Sequence, residues 1–192
     1  MRFRARWAGE SVQRGMARRE LTGVLLVGGA SRRFGSPKAL ARLNGTTFAE
    51  RAWGILGEAC EHRLAFGKAA DELQLPFPVH DDGTDVRAPL VGIVAALRVA
   101  PSEVCVFLPV DLPLATPRLV RVLGEACLEA AAPQTGPLPG AYSRAALGVL
   151  ERRLGEGELA LRDALAELTT ARVLLDPALL VNINAPEELA AL

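Results

Sequence analysis

The residues best suited to chemistry lie together in one loop, residues 28–38, which follows a short apolar run. Glycines allow backbone N–H groups to approach phosphate oxygens closely, arginine offers a fork of donors, and lysine offers a compact positive charge. The loop contains all of these types together with hydroxyl groups, in the order Gly28, Gly29, Ala30, Ser31, Arg32, Arg33, Phe34, Gly35, Ser36, Pro37 and Lys38. This combination predicts a phosphate-binding loop, although the same composition also occurs in polar surface loops.

Two common phosphate-binding patterns do not fit this loop. A P-loop needs lysine directly after glycine, whereas Gly35 and Lys38 stand three positions apart, and the spacing Gly-x-Gly-x-x-Gly is not met either. Lys38 is one of only two lysines in a chain that contains 20 arginines. A lysine retained beside a glycine-rich loop strengthens the interpretation that the loop binds phosphate.

Asp111 is the second candidate for chemistry, because it follows the strongly apolar residues 104–110. Ligands of open α/β sheets bind at the carboxyl ends of strands, and a single carboxylate there can hold Mg²⁺ against nucleotide phosphates. We therefore expect Asp111 to be a Mg²⁺ ligand. The structural alternative is an aspartate that begins a turn before Pro113.

The elements that must position these residues alternate between short apolar runs and helical patterns from residue 21 onward. This rhythm predicts an α/β fold of three layers, with a mainly parallel sheet and helices on both faces. Residues 132–140 are rich in proline and glycine and should form a loop over the active face. The predicted strands are 21–27, 63–66, 77–80, 104–110 and 172–175, and the predicted helices are 47–60, 89–99, 116–131, 143–154, 158–168 and 186–192.

Composition and charge exclude several classes of protein. The 22 basic and 22 acidic residues balance, so no global field favours nucleic acid or a membrane surface. No apolar run approaches the roughly 18 to 20 residues of a membrane span. The three cysteines are widely spaced and suit reduced core thiols, which indicates a cytoplasmic protein.

The N-terminal residues differ in character from the rest of the chain. Residues 1–20 carry six arginines and little hydrophobic periodicity, so we predict a flexible arm followed by a single domain over residues 21–192. Translation from Met16 is an alternative explanation of this segment.

Four ordered motifs resemble one known family. The loop pattern Gly-Gly-x-Ser-x-Arg-x-Gly-x-x-Lys resembles the signature of nucleotidyltransferases that activate phosphorylated metabolites, and in particular of the MobA-like molybdenum cofactor guanylyltransferases. Further similar segments follow in the same order at residues 89–92, 108–113 and 182–189. The resemblance covers residues 21–192 and implies the Rossmann-like fold of nucleotidyltransferases.

The resemblance also implies an activity and a set of site residues. It implies transfer of GMP from GTP to the phosphate of a molybdopterin-type cofactor, with Mg²⁺ bound and with transient contacts to molybdoenzymes or their chaperones. Arg33, Lys38 and Asp111 would be catalytic, and Asp111 would hold the metal. The expected substrate- and cofactor-binding residues are Leu26, Val27, Gly28, Gly29, Ser31, Lys38, Asp82, Asp111, Asn182 and Asn184.

Several alternatives stay open at the level of sequence. Asp82 could be an ordinary turn residue, and Asn182 and Asn184 could be helix caps. A cytidylyltransferase or a sugar-phosphate nucleotidyltransferase would carry out the same reaction on other substrates. A degenerate module that binds nucleotide without turnover is a further alternative, because Phe66 stands where members of the family can carry an asparagine that helps to bind nucleotide.

Overall fold

The computed structural model of the protein describes residues 18–28, 37–185 and 188. Within these ranges the α-helices are α1 Phe48–Ala59, α2 Pro89–Val99, α3 Pro117–Ala126, α4 Leu147–Gly155 and α5 Leu161–Glu167. The strands are β1 Leu21–Leu26, β2 Arg42–Leu43, β3 Thr46–Thr47, β4 His62–Gly67, β5 His80–Asp81, β6 Val104–Pro109, β7 Ala130–Pro133, β8 Gly140–Ser143 and β9 Thr170–Val173.

Seven of these strands form one sheet in the order β5-β4-β1-β6-β8-β7-β9, and β2 pairs with β3 in a separate hairpin. The pairs β1–β4, β1–β6, β4–β5 and β7–β9 are parallel, whereas β8 runs antiparallel to β6 and β7. The carboxyl ends of β5, β4, β1 and β6 therefore meet at one edge of the sheet. This edge is where an open parallel sheet binds ligands.

Helices cover both faces of the sheet, as the sequence predicts. On β6, the side chains of Val106 and Leu108 belong to the core that α1 and α3 complete, while Cys105 and Phe107 belong to the core shared with α2, α4 and α5. Strands buried on both faces are apolar at successive positions rather than at alternate ones. The fold is thus a three-layer α/β fold with a mostly parallel sheet.

Local signals set several helix ends where the sequence predicts them. The hydroxyl of Thr47 accepts a hydrogen bond from the Glu50 N–H while the Glu50 carboxylate accepts one from the Thr47 N–H, which forms a capping box at the start of α1. Pro89 and Pro117 occupy the first positions of α2 and α3, and Thr116 caps α3 through its hydroxyl.

The region after α3 differs from the prediction. The helix expected to reach residue 131 ends at Ala126, and the expected loop 132–140 contains the end of β7 and the start of β8. Alanine locally favours helix, but β7 lies between β8 and β9, and burial there of Ala130, Ala131 and Ala132 outweighs that preference. The strand β8 has no counterpart among the strands that the hydrophobic pattern predicts, and only the similarity of residues 139–142 to an acceptor-side strand of the family points to it.

The two ends of the chain are described in part. Residues 1–17 of the predicted arm and the predicted helix 186–192, apart from Glu188, lie outside the described residues. The Arg19 guanidinium donates to the carbonyl oxygens of Gly124 and Cys127, and so attaches the start of the described chain to the end of α3. No helix in the described part of the chain has the length and apolarity that a membrane crossing requires.

Candidate functional site

A cavity of about 480 Å³ opens at the edge where β1, β4 and β6 end. Seven of the residues predicted from the sequence line it: Leu26, Val27, Gly28, Lys38, Asp82, Asp111 and Asn182. The remaining lining residues are Phe66, Arg87, Ala88, Pro89, Gly92, Pro109, Val110 and Leu138. The predicted site residues Gly29, Ser31 and Arg33 lie outside the described residues.

The end of β1 supplies the floor of the cavity. The Val27 N–H donates to the Phe66 carbonyl oxygen at 2.9 Å, which continues the pairing of β1 with β4 beyond the last strand residue. Val27 is buried, whereas Gly28 is exposed and begins the glycine-rich loop. A ligand in the cavity therefore lies next to Gly28, where the glycine-rich loop begins after β1.

Lys38, Asp111 and Asn184 come together at one end of the cavity. The Lys38 Nζ atom lies 3.5 Å from Asp111 Oδ2 and donates a hydrogen bond of 2.7 Å to Asn184 Oδ1. These residues are far apart in sequence, and the fold joins them because Ile183 is buried and its N–H donates to the Asp111 carbonyl oxygen at 2.9 Å. Asn184 thus contacts Lys38, and both are among the predicted site residues.

This end of the cavity carries the oxygen donors that a hard cation prefers. The Asp111 side chain, which ends in a carboxylate, is 24 % exposed, and Asn182 also lines the cavity. The described residues contain no group of three or more His, Cys, Asp or Glu side chains arranged as a metal site. Mg²⁺ is typically held by one or two carboxylates together with substrate phosphates, so these residues fit that ion.

Asp82 lies at the opposite end of the cavity and is paired with Lys68. The Lys68 Nζ atom lies 2.5 Å from Asp82 Oδ1 and 2.6 Å from the Thr84 carbonyl oxygen. Only 9 % of the Lys68 side chain and 7 % of the Asp82 side chain are exposed. Lys68 is not among the predicted site residues, although the rarity of lysine in this arginine-rich chain is a signal that could have identified it. In the structure, both lysines contact a predicted site residue.

The strand order sets the separation between the two ends. Asp111 follows β6 and Asp82 follows β5, and three inter-strand steps lie between these strands. Neighbouring strands are about 4.8 Å apart, so β5 and β6 are separated by roughly 14 Å along the sheet edge. An extended ligand can therefore lie across β4 and β1 with different chemistry at each end.

The cysteines and histidines take no part in the cavity wall. Burial raises the pKa of the Cys60, Cys105 and Cys127 thiols to about 12, so at neutral pH these thiols are protonated and poor nucleophiles. His62 pairs with Glu20 on the surface, and the His80 ring lies 5.5 Å from the Phe66 ring. The burial of the three cysteines agrees with the core thiols that the sequence suggested.

Three of the eight other lining residues stand out, and of these only Phe66 lies at a position that the family resemblance associates with nucleotide binding. Arg87 is held by Asp71 through two hydrogen bonds, of 2.6 and 3.2 Å. Leu138 comes from the proline- and glycine-rich segment, part of which therefore lies at the cavity as predicted. Phe66 ends the apolar part of β4 and faces the same space.

Comparison with known proteins gives consistent matches over most of the chain. The model of the MobA-like NTP transferase domain matches residues 23–173. A molybdenum cofactor guanylyltransferase from Desulfosudis oleivorans is 30% identical, covering 88% of this chain and 92% of that protein. A probable molybdenum cofactor guanylyltransferase from Deinococcus radiodurans is 34% identical, covering 90% and 93%.

A solved structure supports the same fold. The crystal structure of molybdopterin-guanine dinucleotide biosynthesis protein A from Archaeoglobus fulgidus superposes with a TM-score of 0.75 and 24% identity, covering 88% of this chain and 95% of that chain. At this level of identity the likeness concerns the fold.

Proposed function

The chain belongs to the MobA-like NTP transferase family and is a nucleotidyltransferase similar to the molybdenum cofactor guanylyltransferases, and we propose that it transfers GMP from GTP to a molybdopterin-type molybdenum cofactor. In this reaction a phosphate oxygen of the acceptor forms a bond to the α-phosphorus of GTP. The bond from that phosphorus to the bridging oxygen breaks, and pyrophosphate leaves with the electron pair.

The observation that carries the proposal is the division of the cavity into two chemically different ends. Lys38 and Asp111 lie 3.5 Å apart beside the start of the glycine-rich loop, which suits a triphosphate. Phe66 and the paired carboxylate of Asp82 lie beyond β1 at the other end, which suits a base and ribose. A nucleoside triphosphate laid across the sheet edge satisfies both ends.

The residues of the chain would act by alignment and charge neutralisation. The acceptor phosphate is already anionic, so the reaction needs no covalent enzyme intermediate. Lys38, held by Asp111 and Asn184, directs a fixed positive charge at the phosphates, and fixed charges of this kind stabilise charge that develops during the reaction. We assign Arg33 the same role because of its place in the loop motif.

Asp111 would hold Mg²⁺, with Asn182 beside it as a further oxygen donor. When bound, the ion would supply positive charge shared among the phosphate oxygens. Lys38 already neutralises part of the Asp111 charge, so Lys38 and the metal would share this carboxylate in the substrate complex.

The test combines binding with turnover. The purified protein is titrated by calorimetry with GTP, CTP and ATP, with and without Mg²⁺, and pyrophosphate release is then measured with molybdopterin as the acceptor. We expect Mg²⁺-dependent binding of GTP, release of pyrophosphate that needs the acceptor, and loss of both in Asp111→Ala. Arg98→Ala is the matched control, since Arg98 pairs with Glu151 on the surface.

Each other outcome points to a different assignment. Preference for CTP would indicate a cytidylyltransferase, and turnover with a sugar phosphate would indicate a sugar-phosphate nucleotidyltransferase. Binding of GTP without pyrophosphate release would indicate a nucleotide-binding module. Full activity in Asp111→Ala would contradict the role assigned to the carboxylate.

A further inference from the structure

Arg87 is a further cation in the wall of the cavity. It lines the main cavity and also a neighbouring cavity of about 540 Å³. Its Nη2 and Nη1 atoms donate to Asp71 Oδ1 and Oδ2 at 2.6 and 3.2 Å. A two-point contact of this kind fixes the plane of the guanidinium, and the other three of its five N–H donors make no hydrogen bond to a residue that the structure describes.

Apolar residues share the lining of the main cavity with Arg87. Leu26, Phe66, Pro89 and Gly92 contribute its walls. A Cβ atom on Gly92 would lie 3.0 Å from Leu26 Cδ2, so the lack of a side chain at this position lets α2 pack closely against Leu26. The apolar faces of a flat ring can pack against these residues, while its polar edge needs hydrogen-bonding partners.

Two polar residues of the cavity wall combine hydrogen-bond donors with an acceptor. Arg87 offers N–H donors, and Asp82 offers a carboxylate. Both hydrogen bonds that Asp82 accepts from described residues, from Lys68 Nζ and from the Thr84 N–H, end on Oδ1. The carboxylate is therefore fixed through one oxygen, and the two groups present opposite hydrogen-bonding character to one ring.

Guanine matches this arrangement better than adenine does. Guanine carries the acceptors O6 and N7 next to the donors N1–H and N2–H₂, whereas adenine places an amino donor where guanine has O6. We propose that Arg87 is a specificity-determining residue that donates to O6 and N7 of guanine, with Asp71 as the residue that positions its guanidinium. The inference rests on the proposed guanylyl transfer and deepens it by assigning the base contact.

The test measures dissociation constants in Mg²⁺ for GTP, 7-deaza-GTP and ATP by calorimetry. The 7-deaza analogue has a C–H in place of N7 and so lacks one of the two acceptors. The wild type should bind GTP about tenfold more tightly than 7-deaza-GTP, the loss expected for one hydrogen bond from a charged donor. In Arg87→Ala this preference should fall to within about twofold, while the affinity for ATP stays unchanged.

Two further variants separate base recognition from general effects. Arg87→Lys keeps a positive donor but not the fork that Asp71 orients, so it should keep only part of the preference for GTP over 7-deaza-GTP. Arg98→Ala removes a surface arginine from the other end of α2 and should keep the wild-type preference. Thermal unfolding of each variant verifies that the protein is folded.

The outcomes distinguish this inference from the proposed function. An equal loss of affinity for GTP and ATP in Arg87→Ala would overturn base recognition and point to the phosphates. An unchanged preference in the folded Arg87 variants would overturn it as well, with guanylyl transfer intact. A wild type that binds no guanine nucleotide would overturn both together.

Discussion

Replacing Lys68 by methionine should destabilise the protein, although Lys68 lies at the edge of the binding cavity. The substitution keeps the length of the side chain and removes its charge. The Asp82 carboxylate, with only 7 % of its side chain exposed, then loses the ammonium group that lies 2.5 Å from its Oδ1 atom. A charge left buried without its partner is costly, because the remaining hydrogen bond from the Thr84 N–H compensates it only in part.

The burial of both partners sets the expected magnitude. Breaking a buried ion pair by removal of one partner costs about 3 kcal/mol or more. For a domain of this size, 1 kcal/mol corresponds to a shift of about 2 to 4 °C in Tm, so Lys68→Met should lower Tm by roughly 6 to 12 °C. Solvent screening does not reduce the expected cost much, because 9 % of the Lys68 side chain is exposed.

The assay is equilibrium unfolding in urea, with scanning calorimetry as a second measurement. Lys38→Met is the matched comparison, because it is the same change at the other lysine. The distance from Lys38 Nζ to Asp111 Oδ2 is longer, at 3.5 Å, and both side chains are more exposed than those of Lys68 and Asp82. The free energy of unfolding of Lys38→Met should therefore change by no more than about 1 kcal/mol. The double variant Lys68→Met, Asp82→Leu should recover much of the loss, since apolar residues can replace a buried pair.

The result that would refute this reasoning is a Lys68→Met variant within about 0.5 kcal/mol of the wild type, the range typical of surface substitutions. The pair would then be solvated in solution, and Asp82 would not need Lys68 to stay in place. A double variant as unstable as the single one would instead show that packing, not the unpaired charge, causes the loss.

The remaining predictions concern activity, pH and helix capping. Lys38→Ala and Arg33→Ala should each lower turnover about 100-fold or more, measured as pyrophosphate release, and wild-type rates would contradict their roles. Burial raises the pKa of the Cys105 thiol from 9.0 to about 12. At a pH between these two pKa values, the thiol keeps its proton in the folded protein and loses it in the unfolded chain. Stability should therefore fall as pH rises above about 9, by up to about 1.4 kcal/mol per pH unit for each such thiol, and urea midpoints should fall less steeply in Cys105→Ala. Thr47→Ala removes the hydroxyl that accepts from the Glu50 N–H and should cost about 1 kcal/mol in urea unfolding, with an unchanged midpoint as the contrary result.

Elements with strong local signals could be predicted from the sequence. The strand β1 is a short apolar run closed by glycine, and α2 begins at the proline that the sequence marks as its first residue. The apolar run of β6 likewise identified the strand that places Asp111 at the sheet edge. Such signals suffice because parallel strands buried on both faces need apolar residues at nearly every position.

Elements that depend on their neighbours could not be predicted in this way. Ala130 and Ala131 favour a helix by composition, and residues 130–133 nevertheless form β7 because β8 and β9 pair on its two sides. The strand β8 is four residues long, and it pairs antiparallel with β6 through contacts more than 30 residues away in sequence. Tertiary pairing outweighs a local preference of a few tenths of a kcal/mol per residue.

The residues of the functional site show the same difference between what local sequence predicts and what tertiary contacts determine. The sequence by itself determined that the chain carries a glycine-rich loop with Lys38 and an aspartate, Asp111, at the end of a buried strand, because residue type and local order suffice for both. The tertiary structure decided that Lys68 fixes Asp82 and that Asp71 fixes Arg87. Each of these partners is 14 or 16 residues away in the chain, and only the folding of β4 beside β5 and α2 brings their charges within hydrogen-bonding distance.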